Sequence, residues 1–314
     1  MKRIRIFTAI FALTAAMQFI VPQLCAQEDT ALETQLHILA ATHHGNVAIF
    51  AKDLRSGKMV TINADAPVPT ASVIKLTVLF EALKQIQAGK AHFSDKVTLT
   101  KGNQVSGSGV LMFFDVPQAL TLKDVLTMMI IVSDNTATNI AIDRLGLKNI
   151  DDRIQWLGLK NTWLYKKVAM PPVGTMPPDQ KQFGLGKTTA REMANVMERF
   201  ATCNLNAPGS SAKPTEQDQK LCDVAMHMLR NQFYRNSIPR YLEVQDTTEG
   251  ESNIANKTGA LNEVRNDVGV VFAKNGPVVI SEFTYGNQDK SWTPDNAAEV
   301  LMAKLAQVII SRWQ

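Results

Sequence analysis

Residues 252–285 read SNIANKTGALNEVRNDVGVVFAKNGPVVISEFTY and predict the core of the fold. Three apolar stretches in this segment have the composition of β-strands: Ser252–Ala260, Val268–Ala273 and Val278–Tyr285. Lys274-Asn275-Gly276-Pro277 separates the last two and is a strong turn signal, so those two strands are expected to form a hairpin.

A second hairpin is predicted near the other end of the chain. Gly45–Leu54 and Lys58–Ala64 are joined by Arg55-Ser56-Gly57. Between the two hairpins the apolar period becomes helical, first from Thr70 to Gly89. Further helices are predicted at Leu122–Ile131, Ala137–Leu145, Thr189–Ala201, Gln217–Phe233 and, at the C-terminus, Asn296–Trp313.

Strands near both ends of the chain and a helical middle favour an α+β fold, an α/β sandwich. We expect an antiparallel sheet of about five strands, flanked by N- and C-terminal helices, with an inserted all-helical domain. The predicted boundaries are 27–67 and 236–314 for a discontinuous α/β domain, and 68–235 for the inserted domain. Ala169–Gly186 is a long irregular stretch, which is typical of a functional loop.

Residues 1–26 have the pattern of a secretory signal peptide: three cations, an apolar stretch, and small residues around Ala26. Cleavage there would leave 30 basic and 29 acidic residues, a net charge of +1. This balance gives no reason to expect nucleic-acid binding. A lipid anchor on Cys25 is disfavoured by the bulky Leu24 before it. No membrane span is expected in the mature form, and we predict a periplasmic protein, as a monomer.

The remaining cysteines, Cys203 and Cys222, flank a polar stretch. In an oxidising compartment two such cysteines favour a disulfide, and the alternative is two buried free thiols. The 5 histidines and 3 cysteines have no zinc-ligand spacing, so no metal site and no cofactor are expected.

Ser72 and Lys75 lie three residues apart at the predicted start of a helix, with Thr70 as its cap. The three-residue spacing places both side chains on one face, where a partly neutralised lysine can accept the serine proton. This spacing alone means little, because Ser210 and Lys213 repeat it in a loop.

Two further motifs follow in order along the chain. Ser133-Asp134-Asn135 lies between two predicted helices. The alternative to a functional role is that this triplet caps a helix. Lys257-Thr258-Gly259 lies in a predicted strand, where the glycine permits a ligand to approach the backbone closely. The alternative is a sheet-edge position, at which the lysine discourages aggregation.

Together the three motifs resemble those of the class A serine β-lactamases and the wider penicillin-recognising enzymes. Ser106-Gly107-Ser108-Gly109-Val110-Leu111 also resembles the family segment before the second motif, and the likeness covers essentially the whole mature chain.

The resemblance implies a role for each motif residue. Ser72 would be the nucleophile, Lys75 would activate it, and Ser133 would relay a proton to the leaving nitrogen. The substrate would be bound by Asn135, Lys257 and Thr258, with Arg265 assisting. The backbone N–H groups of Ser72 and Ala260 would form the oxyanion hole.

The sequence departs from the family in one respect. Class A enzymes carry a glutamate in the loop after the second motif, which activates the deacylating water. Residues 144–191 contain no glutamate, and Asp179 resembles the residue that closes this loop rather than its base. Three functions follow: a β-lactamase that opens β-lactams through a Ser72 acyl-enzyme, a penicillin-binding or D-alanyl-peptidase-like protein acting on peptidoglycan peptides, or a sensor without turnover.

Overall fold

The computed structural model describes residues 28–242 and 252–314. The predicted signal peptide, residues 1–26, and Cys25 lie outside these ranges. Within them, no helix has both the length and the apolar composition needed to cross a bilayer.

The main sheet has five antiparallel strands in the spatial order β2-β1-β10-β9-β8, which confirms the predicted fold class. Its strands are β1 (Asn46–Asp53), β2 (Met59–Ile62), β8 (Ile254–Leu261), β9 (Val264–Ala273) and β10 (Gly276–Tyr285). The first and last parts of the chain meet at its centre, where Asn46 lies opposite Tyr285 and Asp53 opposite Val278. The strand β8, which carries Lys257, Thr258 and Gly259, forms one edge of the sheet.

Two terminal helices cover one face of the sheet: α1 (Thr30–Ala40) and α9 (Ala297–Trp313). Each begins at a residue whose side chain accepts hydrogen bonds from the first-turn N–H groups, Asp29 for α1 and Asn296 for α9. Their apolar sides bury Leu36 and Leu305 with Ile49 and Ile280 of the central strands. The predicted flanking by N- and C-terminal helices is confirmed.

The other face of the sheet packs against the helical region. This region contains α2 (Lys75–Gln87), α3 (Leu122–Ile131), α4 (Asn135–Leu145), α5 (Leu147–Trp156), α6 (Gln180–Phe183), α7 (Ala190–Ala201) and α8 (Glu216–Arg230). One continuous apolar core joins Phe50 and Val268 of the sheet to Leu79 and Met197 of the helices. A shared core fixes the helical region against the sheet, so residues from both can form one site.

The region between residues 68 and 188 also contains short strands, so the expectation of an all-helical insertion is wrong in this detail. They form a three-stranded sheet and a two-stranded sheet, from β3 (Val68–Pro69), β6 (Trp163–Leu164) and β7 (Gly186–Thr188), and from β4 (Lys96–Leu99) and β5 (Gln118–Thr121). Segments of two to four residues are too short to show a period. We retain the domain boundaries at 68 and 235 as a proposal.

Cys203 and Cys222 are joined by a disulfide, with their Cα atoms 5.6 Å apart. Both cysteines are buried beside α7 and α8, as the alternative interpretation expected, but they are bonded to each other and are not free thiols. The bridge closes a loop over a sequence separation of 19. It therefore ties the end of α7 to the first half of α8.

We predict that replacing both cysteines by serine lowers the free energy of unfolding by about 3 kcal/mol, because the unfolded chain gains the entropy of an open loop. Urea unfolding of the oxidised protein and the double variant measures this difference, and reduced wild-type protein is the matched control. Two freely alkylatable thiols in the unreduced protein would contradict the bridge.

Candidate functional site

Ser72 lies in a single 3₁₀ turn, Ala71–Ile74, that leads directly into α2 at Lys75. The prediction that Thr70 caps this segment is wrong. Thr70 has helical backbone angles, φ −70° and ψ −32°, whereas a capping residue needs an extended conformation, and its hydroxyl makes no capping bond. The backbone of Ala71 bends the chain here instead, with φ +43°.

The sheet edge packs directly against this turn. A Cβ atom on Gly259 would lie 2.9 Å from the Ser72 nitrogen and 3.0 Å from the Thr70 oxygen, both of them backbone atoms. Asn266 on the next strand donates hydrogen bonds to the carbonyls of Pro69 (2.9 Å) and Thr70 (3.1 Å). Gly259 is therefore required because β8 approaches the backbone of the Ser72 turn closely, whereas the sequence suggested the close approach of a ligand.

Lys75 is fully buried, and its ammonium group contacts the second motif. Its Nζ donates hydrogen bonds to the Ser133 carbonyl (2.7 Å), the Ser133 hydroxyl (3.1 Å) and Asn135 Oδ1 (3.0 Å). The structure thus joins Lys75 to Ser133 and Asn135 by direct bonds, and Ser72 lies one helical turn before it.

Lys257 approaches the same hydroxyl from the sheet. Its Nζ donates hydrogen bonds to Ser133 Oγ (3.0 Å) and to the Thr258 carbonyl (2.7 Å), and the side chain is fully buried. A serine hydroxyl accepts two hydrogen bonds and donates one. With both lysines donating to Ser133 Oγ, its own proton is free to point into the cleft.

The two lysines have lowered pKa values because burial disfavours their charged forms. The pKa of Lys75 lies well below its usual value, through burial first and then through the positive charge of Lys257, while Asp134 opposes the shift. Burial lowers the pKa of Lys257 to about 7, against the opposing charge of Asp267. Lys75 therefore holds its proton less strongly than an exposed lysine does, a property that a general base requires.

The second motif occupies the loop between α3 and α4, as predicted. Asp134 caps α4 by accepting a hydrogen bond from the Ala137 nitrogen (2.8 Å). The interpretation of the motif as a helix cap is therefore correct for this residue. Its other oxygen accepts from the nitrogens of Val110 (2.6 Å) and Leu111 (2.8 Å). Asp134 thereby ties the glycine-rich segment to the motif, a role that the sequence did not indicate.

A cleft of about 350 Å³ lies between the sheet edge and the helical region. Its walls include Ser72, Ser133, Thr258, Ala260 and Arg265. Lys75, Lys257 and Asn135 support these walls through the bonds described above. The structure therefore brings all seven predicted catalytic and binding side chains, and both predicted oxyanion-hole residues, to one cleft.

Arg265, which the resemblance assigns to assist carboxylate binding, makes its contacts within the protein. It is 2% exposed, and its NH1 and NH2 groups donate to the carbonyls of Leu261, Val264 and Ser291. Its Nε lies 3.2 Å from Glu299. The guanidinium lines the cleft with three hydrogen bonds and one ion pair made within the protein.

The long loop is held to the second motif by an asparagine that the sequence analysis did not single out. Asn139 lies one turn after Asn135 on α4, and its side chain donates to the Val168 carbonyl (3.0 Å) and accepts from the Val168 nitrogen (2.8 Å). Asp179 accepts from the Tyr165 hydroxyl (2.9 Å) and from Lys187. Asp179 therefore closes the loop, as its sequence setting indicated.

Comparison with known proteins agrees with this geometry. Residues 31–313 match the Beta-lactamase enzyme family. The chain belongs to that family. It is 22% identical over 311 residues to the β-lactamase regulatory protein BlaB of Streptomyces cacaoi, covering 87% of this chain and 95% of that protein.

Solved structures of the family share the fold. A β-lactamase from Sphaerobacter thermophilus DSM 20745 superposes with a TM-score of 0.74 at 24% identity, over 90% of this chain and 97% of that one. The penicillin G acyl-enzyme of a PBP-A variant superposes with a TM-score of 0.72 at 22% identity, over 91% and 97% of the two chains. The predicted resemblance to class A β-lactamases is confirmed at the level of the family.

We predict that replacing Lys257 by methionine raises the pKa of Lys75, because the variant removes a neighbouring positive charge that disfavours its protonation. The ¹³C shift of labelled lysine Cε atoms against pH measures this directly. Replacing Lys84, which lies outside the cleft, by methionine is the matched control and should leave the Lys75 titration unchanged. A Lys75 that titrates near 10.5 in wild-type protein would contradict the assignment.

Proposed function

We propose that this protein is a serine hydrolase of the class A β-lactamase type, which opens the amide bond of β-lactams through an acyl-enzyme on Ser72. The observation that carries the proposal is the pair of lysines whose ammonium groups converge on the Ser133 hydroxyl, beside the turn that holds Ser72. A protein that only binds its ligand has no need for such a proton network next to a nucleophile.

In acylation, the Ser72 oxygen attacks the amide carbon and its proton passes to neutral Lys75. The negative charge then develops on the carbonyl oxygen, where the N–H groups of Ser72 and Ala260 stabilise it; one such donor is typically worth about 3–4 kcal/mol. The C–N bond breaks as the leaving nitrogen takes the Ser133 proton, and Ser133 regains a proton from Lys75. The C–O bond forms and the C–N bond breaks, and in net terms one proton is transferred from the Ser72 oxygen to the nitrogen, through Lys75 and Ser133.

Substrate binding follows from the groups around Ser133. Protonated Lys257 and the Thr258 hydroxyl would bind the substrate carboxylate next to the leaving nitrogen. Asn135 donates one N–H to the Ser106 carbonyl (3.2 Å), and the second N–H of its amide remains for the carbonyl of the substrate side chain. Arg265 assists indirectly, by fixing the backbone at Leu261 and Ser291 beside the cleft, because its hydrogen bonds are made within the protein.

Hydrolysis of the acyl-enzyme is expected to be slow. Water attacks an ester efficiently when a positioned base takes its proton, a contribution of about 10²–10⁴-fold. Val168 is the loop residue that Asn139 anchors to the second motif, and it has no acidic group. The carboxylate of Asp179 is engaged in loop closure with Tyr165 and Lys187.

A D-alanyl-peptidase-like activity on peptidoglycan peptides is the second candidate. It is favoured by the likeness to PBP-A and by the lack of a loop carboxylate at Val168. The likeness to a regulatory protein in turn favours a sensor that is acylated once. All three functions share the Ser72 adduct, and we further propose export to the periplasm as a monomer.

We predict that a β-lactam adds its whole mass to wild-type protein and that Ser72→Ala abolishes this adduct, because the attacking oxygen is removed. Intact-protein mass spectrometry before and after exposure to benzylpenicillin measures it. Ser210→Ala, in the loop that repeats the Ser-x-x-Lys spacing, is the matched control and should retain the adduct. An adduct on the Ser72→Ala variant would overturn the assignment of the nucleophile.

We also predict a burst of about one equivalent of nitrocefin opened, followed by slow turnover, because acylation outpaces deacylation without a loop base. Val168→Glu should raise the steady-state rate about 10-fold or more, by placing a carboxylate at the anchored loop position. Val168→Gln has the same size without the base and should stay slow. Sustained turnover at about 10–10³ per second without a burst in wild-type protein would contradict slow deacylation.

A further inference from the structure

Two exposed aromatic side chains line the cleft that contains Ser72. Trp292 is 66% exposed and Tyr234 is 41% exposed, and both belong to the cleft wall. Large apolar groups left in water on a concave surface are typical of a recognition site. Neither residue has a role in the acylation chemistry described above.

One face of the Trp292 indole ring packs against the guanidinium group of Arg265. The guanidinium carbon lies 4.6 Å from the centre of the indole ring, which is the geometry of a cation–π contact. Because Arg265 donates to three backbone carbonyls, its own position is fixed. The buried arginine therefore provides a fixed surface against which one face of the indole packs.

The segment that carries Trp292 is itself held by hydrogen bonds at both ends. Asp289 accepts from the nitrogens of Ser291 (2.9 Å) and Ala297 (2.7 Å). Asn296 donates to the Ser291 carbonyl (3.0 Å), and Arg240 donates to Asp295 (2.8 Å). An aromatic ring on such a segment is preorganised, so little entropy is lost when a ligand stacks on it.

The strand register places this ring beyond the carboxylate-binding residues. Lys257 contacts Ser133, Thr258 follows it along β8, and Ala260 pairs with Arg265 on β9. Trp292 stacks on Arg265. The cleft thus runs from the leaving-nitrogen position at Ser133, past the carboxylate position at Thr258, to the indole.

The charges at this end of the cleft are balanced. Arg265 lies 3.2 Å from Glu299, and both line the cleft beside Trp292. A compensated pair offers no net attraction to a charged group, and the indole itself offers a flat apolar surface. The surroundings therefore favour an uncharged planar group.

We propose that Trp292 is a specificity-determining residue that stacks against an uncharged planar ring carried by the substrate on its leaving-nitrogen side, next to the carboxylate. This inference rests on the proposed acylation of Ser72 and adds the substituent that the cleft selects. The acyl side of the substrate, held by Asn135, lies at the other end of the cleft and is unaffected.

The test compares two cephems that share one acylamino side chain and differ at the carbon beside the carboxylate, with a methyl group in one and a phenylvinyl group in the other. The second-order rate constant of Ser72 acylation is measured for each by stopped-flow kinetics and mass spectrometry. We expect the wild-type protein to favour the phenylvinyl cephem, and Trp292→Ala to reduce that preference about 2- to 12-fold, the range of an aromatic stacking contact. Trp292→Phe should retain most of the preference.

Trp156→Ala is the matched control, since this tryptophan is 37% exposed on α5 and does not line the cleft. Equal losses for both cephems in Trp292→Ala would overturn the subsite while leaving the acylation of Ser72 intact, because they would show a general disturbance through Arg265. No adduct with either cephem in wild-type protein would overturn the proposed function and the subsite with it.

Discussion

The Ser133 hydroxyl is the point on which the rest of the site depends, because two buried lysines donate to it from opposite sides. Lys75 approaches from α2 and Lys257 from the sheet edge, at 3.1 and 3.0 Å. Two ammonium groups so close to one oxygen and away from water repel each other, and this lowers the pKa of Lys75 beyond the effect of burial. Lys75 therefore holds its proton weakly. Burying the two charged groups carries a desolvation penalty, which the packing and hydrogen bonds of the surrounding fold must offset.

The surrounding contacts maintain this convergence. Gly259 allows the sheet edge to reach the Ser72 turn, and Asn266 binds the carbonyls that precede that turn. Asp134 fixes the other wall by binding the nitrogens of Val110 and Leu111. Each of these residues contacts the backbone, and together they position the Ser72 turn against Ser133 and the two lysines. The charge of Asp134 also opposes the lowering of the Lys75 pKa.

Much of this arrangement could be predicted from the sequence, because motifs with a fixed order report on chemistry that tolerates few alternatives. The five-stranded sheet and its flanking helices follow from short-range patterns. The gathering of Ser72, Lys75, Ser133 and Lys257 follows from the resemblance of the three ordered motifs to those of a known family. The backbone conformation of Thr70 could not be predicted, since it is set by packing of the turn against β8. The engagement of Arg265 depends on carbonyls brought together by tertiary structure, and the same holds for the two-residue strands and for the stacking of Trp292.

The pairing of β1 with β10 has a consequence for how the molecule reaches its native state. Asn46 and Tyr285 are 239 residues apart in sequence, so the centre of the sheet forms only when both of these distant segments are present. Contacts of such large separation slow folding, because the entropy of closing the loop is lost before the contacts form. A growing chain can build its helices early, but the lysine on β8 joins Ser133 only after the last strands have been made. Ser133, beside the Ser72 turn, therefore lacks its contact with Lys257 until the segment that forms β8, β9 and β10 has been made.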